Sequence, residues 1–236
     1  MKLALLIAAV LAASGASAQQ FKAPVTSLGP ADAALLVTSE PELFKSATVL
    51  AAQRPAVQRE IAELELESTS RNSPFKEPST SRFAKLPGGL LYFQHAVPST
   101  LTSVPPLYES GIDVYGMGIV MYWNSRIPYD QGIIAVAPAA VAVTKGRLFG
   151  TDPFTLQVTF PEGDTDTTEC TVAERIPASQ VHPALTGTAT VFTCSGAMDV
   201  VSQHWYFEDY AQYITKDVRD EDGYLSQFKV TGVKFR

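Results

Sequence analysis

The feature that most constrains the fold is a series of short segments in which apolar and polar residues alternate. In the segment 154–160 every second residue is apolar, so an extended chain would have one apolar and one polar face. Similar strand-like segments follow at 188–194, 200–207, 211–218 and 224–235. They are separated by short connections, which join antiparallel strands, whereas parallel strands need a long crossover. The sequence therefore predicts an antiparallel sheet.

Strand-like segments also precede this region, at 90–97, at 112–123 and within the apolar run 132–144, which Pro138 divides. The total is about eight to nine strands without alternating helices. This pattern is typical of a mainly β domain, built as an antiparallel sandwich, half-barrel or barrel. We place that domain at residues 86–236. The pair Asp222-Gly223 near its end favours a type I′ hairpin.

The chain before this domain has a different composition. Residues 19–38 mix proline, glycine and small residues, which predicts a loosely ordered lead-in. Ser39, followed three positions later by Glu42, has the pattern of a helix N-terminus. Good helix formers continue beyond it, so we predict a short helical segment at 39–67.

The end of that helical segment has an alternative interpretation, and a different kind of sequence follows it. Ala62, Leu64 and Leu66 alternate with glutamates, which leaves an edge strand as the alternative for its end. Residues 68–85 are rich in serine, threonine and proline and poor in apolar side chains. We predict that they form a linker or a long surface loop.

Residues 1–18 have the pattern of an export signal. Lys2 precedes an apolar run at 3–13, and Ala16-Ser17-Ala18 matches a small-residue cleavage site. The run is shorter than the roughly 20 residues that span a bilayer, so we expect no transmembrane anchor in the mature chain. The prediction is cleavage after Ala18 and a periplasmic or extracellular protein.

The chain has two cysteines, Cys170 and Cys194. In an oxidising compartment two thiols most simply form one disulfide bond. A zinc site needs four ligands, and no Cys-x-x-Cys or clustered histidines complete such a set. We therefore predict a structural disulfide, no metal and no cofactor.

The charge and motifs exclude several function classes. The net charge of −6 argues against nucleic acid, which is bound through lysine and arginine. The sequence lacks a Walker loop, a G-x-G-x-x-G, an H-E-x-x-H and a G-x-S-x-G motif. The carboxylates of the segment 162–169 have the spacing of a solvated hairpin tip rather than of a calcium loop. No catalytic residue is assigned on this basis.

The densest aromatic stretch is at 204–207. Alternation places Trp205 and Phe207 on one face of a strand, and His204 and Tyr206 on the other. Both faces would be core in a two-sided sheet, which we favour, whereas an aromatic platform would hold a sugar ring or an acyl chain. The candidate ligand-binding residues are Trp205, Phe207, His204, Tyr206, Tyr92 and Tyr122.

The sequence favours an exported, non-enzymatic β-domain protein that binds an apolar or carbohydrate ligand or an envelope protein. The alternative is a secreted hydrolase with dispersed catalytic residues, in which His95 or His204 is the base. His182, the third histidine, precedes a proline in a predicted loop.

Overall fold

A computed structural model describes residues 29–71, 73–97, 107–124, 140–160, 163–196 and 200–236 of the protein. Two helices come first, followed by twelve strands. The helices are α1 (Pro30–Ser39) and α2 (Lys45–Ala51). The strands are β1 (Ile61–Ser70), β2 (Ser73–Lys85), β3 (Leu91–Val97), β4 (Leu107–Asp113), β5 (Ile119–Asn124), β6 (Ala140–Lys145), β7 (Phe154–Thr159), β8 (Thr165–Pro177), β9 (Thr188–Ser195), β10 (Val201–Phe207), β11 (Gln212–Asp220) and β12 (Gly223–Phe235).

All twelve strands belong to one antiparallel sheet with the order β5-β4-β3-β2-β1-β12-β11-β10-β9-β8-β7-β6. Neighbours in the sheet are neighbours in sequence, except that β1 pairs with β12 from Ile61↔Phe235 to Ser70↔Ser226. The sheet is nearly closed, and its two edges are β5 and β6. The predicted mainly β, antiparallel class is confirmed, with twelve strands instead of eight to nine.

The additional strands come mostly from residues 61–85, where the predicted helix end and linker are wrong. β1 and β2 occupy this region and pair with each other. Leu64 and Leu66 of β1 are buried while the intervening Glu65 is exposed. The alternative of a strand was therefore correct, although β1 is central and has a partner on each side. Pairing with two strands outweighs the helix propensity of glutamate and leucine, which amounts to only roughly a few tenths of a kcal/mol per residue.

The helices also differ from the prediction. All of α1 except its last residue lies in the predicted lead-in, and the Asp32 carboxylate accepts a hydrogen bond from the N–H of Gly29 at its start (3.2 Å). Ser39, the predicted N-cap, is the last residue of α1. α2 begins only at Lys45, after a turn. Its buried residues are Ala47, Leu50 and Ala51.

Two hairpins differ from the prediction. The segment 112–123 is not one strand, because the chain reverses between β4 and β5, where Tyr115 and Gly116 have φ of 54° and 90°. At the last hairpin Asp220 pairs with Gly223, so the loop residues are 221 and 222. Neither has a positive φ, and a type I′ turn requires it at both. Of the predicted apolar strands at 132–144, residues 132–139 lie outside the described ranges, and β6 occupies the rest.

Two hydrophobic cores lie on opposite faces of the sheet. The first core contains the buried faces of α1 and α2 together with Phe192, Tyr206 and Tyr213. The second core contains Trp205 and Phe207, with further residues from β1, β9, β11 and β12. Successive residues of β10 therefore enter different cores, as period-two alternation requires.

The sheet edge at β6 is covered by a helix. Ser46 of α2 accepts a hydrogen bond from the N–H of Val141 in β6 (2.9 Å). An exposed edge strand presents unpaired N–H and C=O groups to other chains. α2 therefore provides a hydrogen-bond acceptor for one backbone N–H of β6, an edge strand that has no second strand beside it among the described residues.

The predicted disulfide bond is confirmed. Cys170 and Cys194 lie directly opposite each other in β8 and β9, and they are bonded with a Cα–Cα distance of 4.0 Å. This separation lies just under the usual range of about 4.4–6.8 Å. Both residues are buried in the first core.

Within the described part of the chain, no helix is long and apolar enough to cross a bilayer.

Candidate functional site

An open pocket of about 650 Å³ lies beside Tyr206. Its volume falls in the range of small-molecule sites, about 300–1,000 Å³. It is formed by the loop between β6 and β7 and by the end of β10. The lining residues are Gly146, Arg147, Phe149, Gly150, Thr151, Asp152, Tyr206 and Glu208. We call this site the Tyr206 pocket.

The loop that lines the pocket is held by contacts beneath it. The hydroxyl of Tyr213 donates a hydrogen bond to the carbonyl oxygen of Leu148, which is fully buried. The rings of Phe149 and Tyr115 form an edge-to-face pair with a centroid distance of 6.0 Å. Gly146 has a φ of 75°, and a Cβ there would lie 2.2 Å from the carbonyl oxygen of Pro153. The loop conformation therefore depends on glycine at this position.

Tyr206 forms the inner wall of the pocket. Its ring lies 4.6 Å from that of Tyr213 and 6.5 Å from that of Phe192. Burial, reinforced by the negative charge of Glu208, raises the pKa of Tyr206 to about 12. The hydroxyl is therefore protonated at neutral pH and can donate a hydrogen bond.

The charged groups at the pocket differ in how they are paired. Glu208 contacts Arg175 (2.8 Å) and the hydroxyl of Thr190 (3.0 Å), both through Oε1. Its Oε2 has no hydrogen-bond partner among the described residues. Arg147 and Asp152 are exposed and form no ion pair within the described ranges. The pocket thus presents one cation and carboxylate oxygens to an incoming ligand.

The predicted ligand-binding residues do not converge. Trp205 and Phe207 are 7% and 0% exposed in the second core, on the sheet face opposite to Tyr206. Tyr92 of β3 is buried in the first core, and Tyr122 lies half-buried on β5, opposite Gly111. Of the six predicted residues, Tyr206 alone lines the pocket.

His204 shares the face of Tyr206 but has no acidic partner in the described structure. Its Nε2 lies 2.8 Å from the hydroxyl of Ser202, and its Nδ1 is buried without a partner among the described residues. Burial lowers the pKa of His204 to about 4. The ring is therefore neutral at neutral pH and lacks a group that would stabilise a positive charge on it.

His95 has a different environment. Its Nδ1 lies 2.9 Å from the hydroxyl of Ser81 in β2, and Glu109 of β4 is its partner in the sheet register. The structure therefore brings a hydroxyl, an imidazole and a carboxylate onto adjacent strands. Ser81 and Glu109 carry no sequence motif, because they become neighbours only through strand pairing.

The carboxylates of the segment 162–169, which were predicted to lie at a solvated hairpin tip, are exposed or half-buried where the structure describes them. Asp164 and Glu169 are exposed and Asp166 is half-buried, whereas Glu162 lies outside the described ranges. Across the part of the chain that the structure describes, no three His, Cys, Asp or Glu residues are grouped to hold a metal ion.

Comparison of the chain with models of protein families, with curated protein sequences and with solved structures found no significant match in any of the three. Any functional inference therefore rests on the chemistry of the two sites, at Tyr206 and at His95.

One sequence signal could have pointed to the pocket loop. Two glycines, Gly146 and Gly150, lie close together between two strand-like segments, with Arg147 and Phe149 between them.

Proposed function

We propose that this protein is an exported binding protein that holds a small neutral carbohydrate in the Tyr206 pocket. The observation that carries the proposal is the composition of the lining. Aromatic side chains, one cation and two carboxylates surround a single open space of about 650 Å³.

A sugar has an apolar face of C–H groups and a rim of hydroxyl groups that both donate and accept hydrogen bonds. Phe149 is half-buried and offers aromatic surface for the former, whereas Tyr206 is only 3% exposed and adds a small area. Arg147 can donate to hydroxyl oxygens, and Asp152 and the Oε2 of Glu208 can accept from hydroxyl protons. Each kind of group on the ligand therefore has a counterpart in the lining.

The charges favour a neutral polar ligand over the other classes. A purely apolar ligand would cover Arg147 and Asp152 without replacing their hydration, and uncompensated burial of charged groups is costly. An anionic ligand would meet the carboxylates of Asp152 and Glu208 as well as Arg147. Arg175 already pairs with Glu208 at 2.8 Å, so the remaining charges of Arg147 and Asp152 are close to balance.

Export is supported by the signal-like residues 1–18 and is compatible with the buried disulfide bond, because disulfides persist in oxidising compartments. A periplasmic or extracellular location would bring the pocket into contact with sugars outside the cytoplasm. Binding and location are separate parts of the proposal and have separate tests.

The binding test is isothermal titration of the mature protein with a panel of neutral sugars: glucose, galactose, N-acetylglucosamine, maltose and cellobiose. We expect saturable binding of at least one of them. Arg147→Ala and Asp152→Ala should each weaken that binding at least tenfold, because each removes hydrogen-bonding groups from the rim.

The matched controls are Lys229→Ala and Glu221→Ala, which change exposed charges far along the sequence from the pocket loop. They should leave the affinity unchanged. Absence of saturable binding across the panel, or an equal loss in the control variants, would overturn the carbohydrate proposal.

A further inference from the structure

Three polar residues form a row across neighbouring strands on the face of the second core. Ser81 of β2 pairs with His95 of β3, and His95 pairs with Glu109 of β4. Ser81 is also the register partner of Leu64, which is fully buried in the second core. We call Ser81, His95 and Glu109 the polar row.

The chemistry of the polar row follows from its contacts. The Ser81 hydroxyl lies 2.9 Å from Nδ1 of His95, which is hydrogen-bonding distance. Burial lowers the pKa of His95, and the negative charge of Glu109 partly opposes this effect. The imidazole is therefore neutral at neutral pH and can accept the hydroxyl proton at Nδ1.

An aromatic row lies beside the polar row on the same face. Phe83 and Phe93 are register partners, and Phe93 pairs in turn with Gly111. A Cβ at Gly111 would lie 2.6 Å from the ring of Phe93, so this ring occupies the space above the glycine. The half-buried Tyr122 is opposite Gly111 on β5. The polar row is thus flanked on one side by aromatic side chains.

Ser79 supplies an independent observation at the same place. It lies two residues before Ser81, so both side chains point to the same face of β2. Ser79 is 4% exposed, and its Oγ is buried without a hydrogen-bond partner among the described residues. A buried hydroxyl without a partner is uncommon and calls for an explanation. It is a donor able to stabilise an oxygen that becomes negative nearby.

We propose that Ser81 is a nucleophile activated by His95, and that the polar row hydrolyses small uncharged esters with a short apolar acyl group. Glu109 is a positioning residue that stabilises the imidazolium. The aromatic row selects the acyl group, and its crowding limits the acyl group to a small size.

The proposed reaction has two halves. The Ser81 oxygen attacks the ester carbonyl carbon while His95 takes the hydroxyl proton, which gives a tetrahedral intermediate. That intermediate breaks its bond to the alkoxy group, which leaves as an alcohol with the proton from His95. Water then attacks the acyl-serine in the same way, and the carboxylic acid and free Ser81 are released.

The test is covalent labelling of the mature protein with diisopropyl fluorophosphate, followed by peptide mass spectrometry, together with turnover of p-nitrophenyl acetate. We expect one label per chain, on Ser81. Ser81→Ala should abolish both labelling and turnover, and His95→Gln should slow labelling at least 100-fold.

The matched control is Ser202→Ala, because Ser202 is also hydrogen-bonded to a histidine, at 2.8 Å, but without a carboxylate in the register position next to it. This variant should be labelled at the wild-type rate. Mapping the label on the wild-type protein does not depend on whether any variant folds. The proposal is overturned if the wild-type protein is not labelled, or is labelled at a residue other than Ser81.

Glu109 has its own readout. In the described structure, Glu109 is the charged group that acts on His95, and β2 presents the uncharged Ser81. Glu109→Gln should therefore lower the pKa of His95 and move the acidic limb of the labelling rate to lower pH. An unchanged pH profile would show that Glu109 takes no part. Sugar binding at Tyr206 is measured separately, so either proposal can fail without the other.

Discussion

The guanidinium carbon of Arg54 lies 3.8 Å from the centre of the Tyr115 ring, at the tip of the β4–β5 hairpin. The same guanidinium donates hydrogen bonds to the carbonyl oxygens of Tyr210 (2.7 Å) and Ala211 (3.2 Å) and to the carboxylate of Glu60 (3.0 Å). The Arg54 side chain is 8% exposed. It therefore joins the segment after α2 to the β4–β5 hairpin, to the β10–β11 turn and to the chain before β1.

Replacing this arginine should be strongly destabilising. Arg54→Met keeps much of the side-chain volume but leaves two buried carbonyl oxygens and part of the Glu60 carboxylate unpaired. Breaking a buried ion pair by removing one partner costs about 3–5 kcal/mol, and we expect a loss of that size in urea unfolding. Arg59→Met is the control, because the exposed Arg59 lies over the face of Phe235 and forms no ion pair among the described residues; its replacement should cost about 1 kcal/mol or less. Equal costs would contradict the role of Arg54.

Trp205 and Phe207 of the second core should contribute strongly to the free energy of unfolding. Trp205 and Phe207 are almost fully buried, with ring centroids 6.4 Å apart. Trp205→Ala and Phe207→Ala should each lower the free energy of unfolding by about 3–5 kcal/mol, because each leaves a large cavity. Tyr224→Ala serves as the comparison, since that ring is 46% exposed. A small loss at Trp205 would argue against its place in the core.

His204 should make stability depend on pH in the acidic range. Its folded-state pKa of about 4 lies below the unfolded value of about 6.5, so the unfolded chain binds the proton first. Stability should therefore fall as the pH falls from about 6.5 to 4, by up to about 3 kcal/mol. His204→Gln should remove this component, which is seen by comparing urea midpoints of the variant and wild type at several pH values. If the urea midpoints of the variant and of the wild type changed with pH in parallel, the predicted contribution of His204 would be refuted.

Asp113 should have the opposite effect. Burial raises its pKa to about 7, although the backbone N–H groups of Gly116 and Tyr115 donate to it and work in the other direction. The folded state therefore holds the proton more tightly than the unfolded chain, whose carboxyl has a pKa of about 3.9. Stability from this residue is lost as the pH rises from about 4 to 7, by up to about 4 kcal/mol. Relative to wild type, Asp113→Asn should gain stability over that interval, and a constant difference would contradict the prediction.

Export predicts a specific N-terminus and redox state. Intact mass spectrometry of protein from a secreting host should show a chain that begins at Gln19, without the signal residues. The same material should bind a thiol-alkylating reagent only after reduction, because Cys170 and Cys194 are joined. Correctly exported protein that retains Met1 would disprove the cleavage prediction.

Alternation along single strands could be predicted from sequence, whereas the partners of each strand could not. The positions of β7 and β9–β12 follow from local patterns, since a half-buried strand must repeat every second residue. The same pattern was present in β1, but Glu63, Glu65 and Glu67 also favour a helix. Only the pairing of β1 with β12, which are far apart in sequence, decides between the two.

The candidate sites show the same division. Tyr206 stood out as part of an aromatic stretch, but the Arg147 loop that faces it comes from a separate part of the chain. Ser81 lies in a segment that has the composition of a linker, and no spacing connects it to His95 or Glu109. Their proximity follows from hydrogen-bond register across three strands, which is a property of the folded sheet.

By itself, the sequence determined the mainly antiparallel β class, the pairing of its only two cysteines and the separation of Trp205 from Tyr206 onto opposite faces. These follow from the residue count and from the geometry of an extended chain. The tertiary structure alone decided that β1 and β12 join two runs of strands into one nearly closed sheet. It also decided which polar side chains meet. Both outcomes depend on contacts between distant residues, whose free energy no short segment of sequence contains.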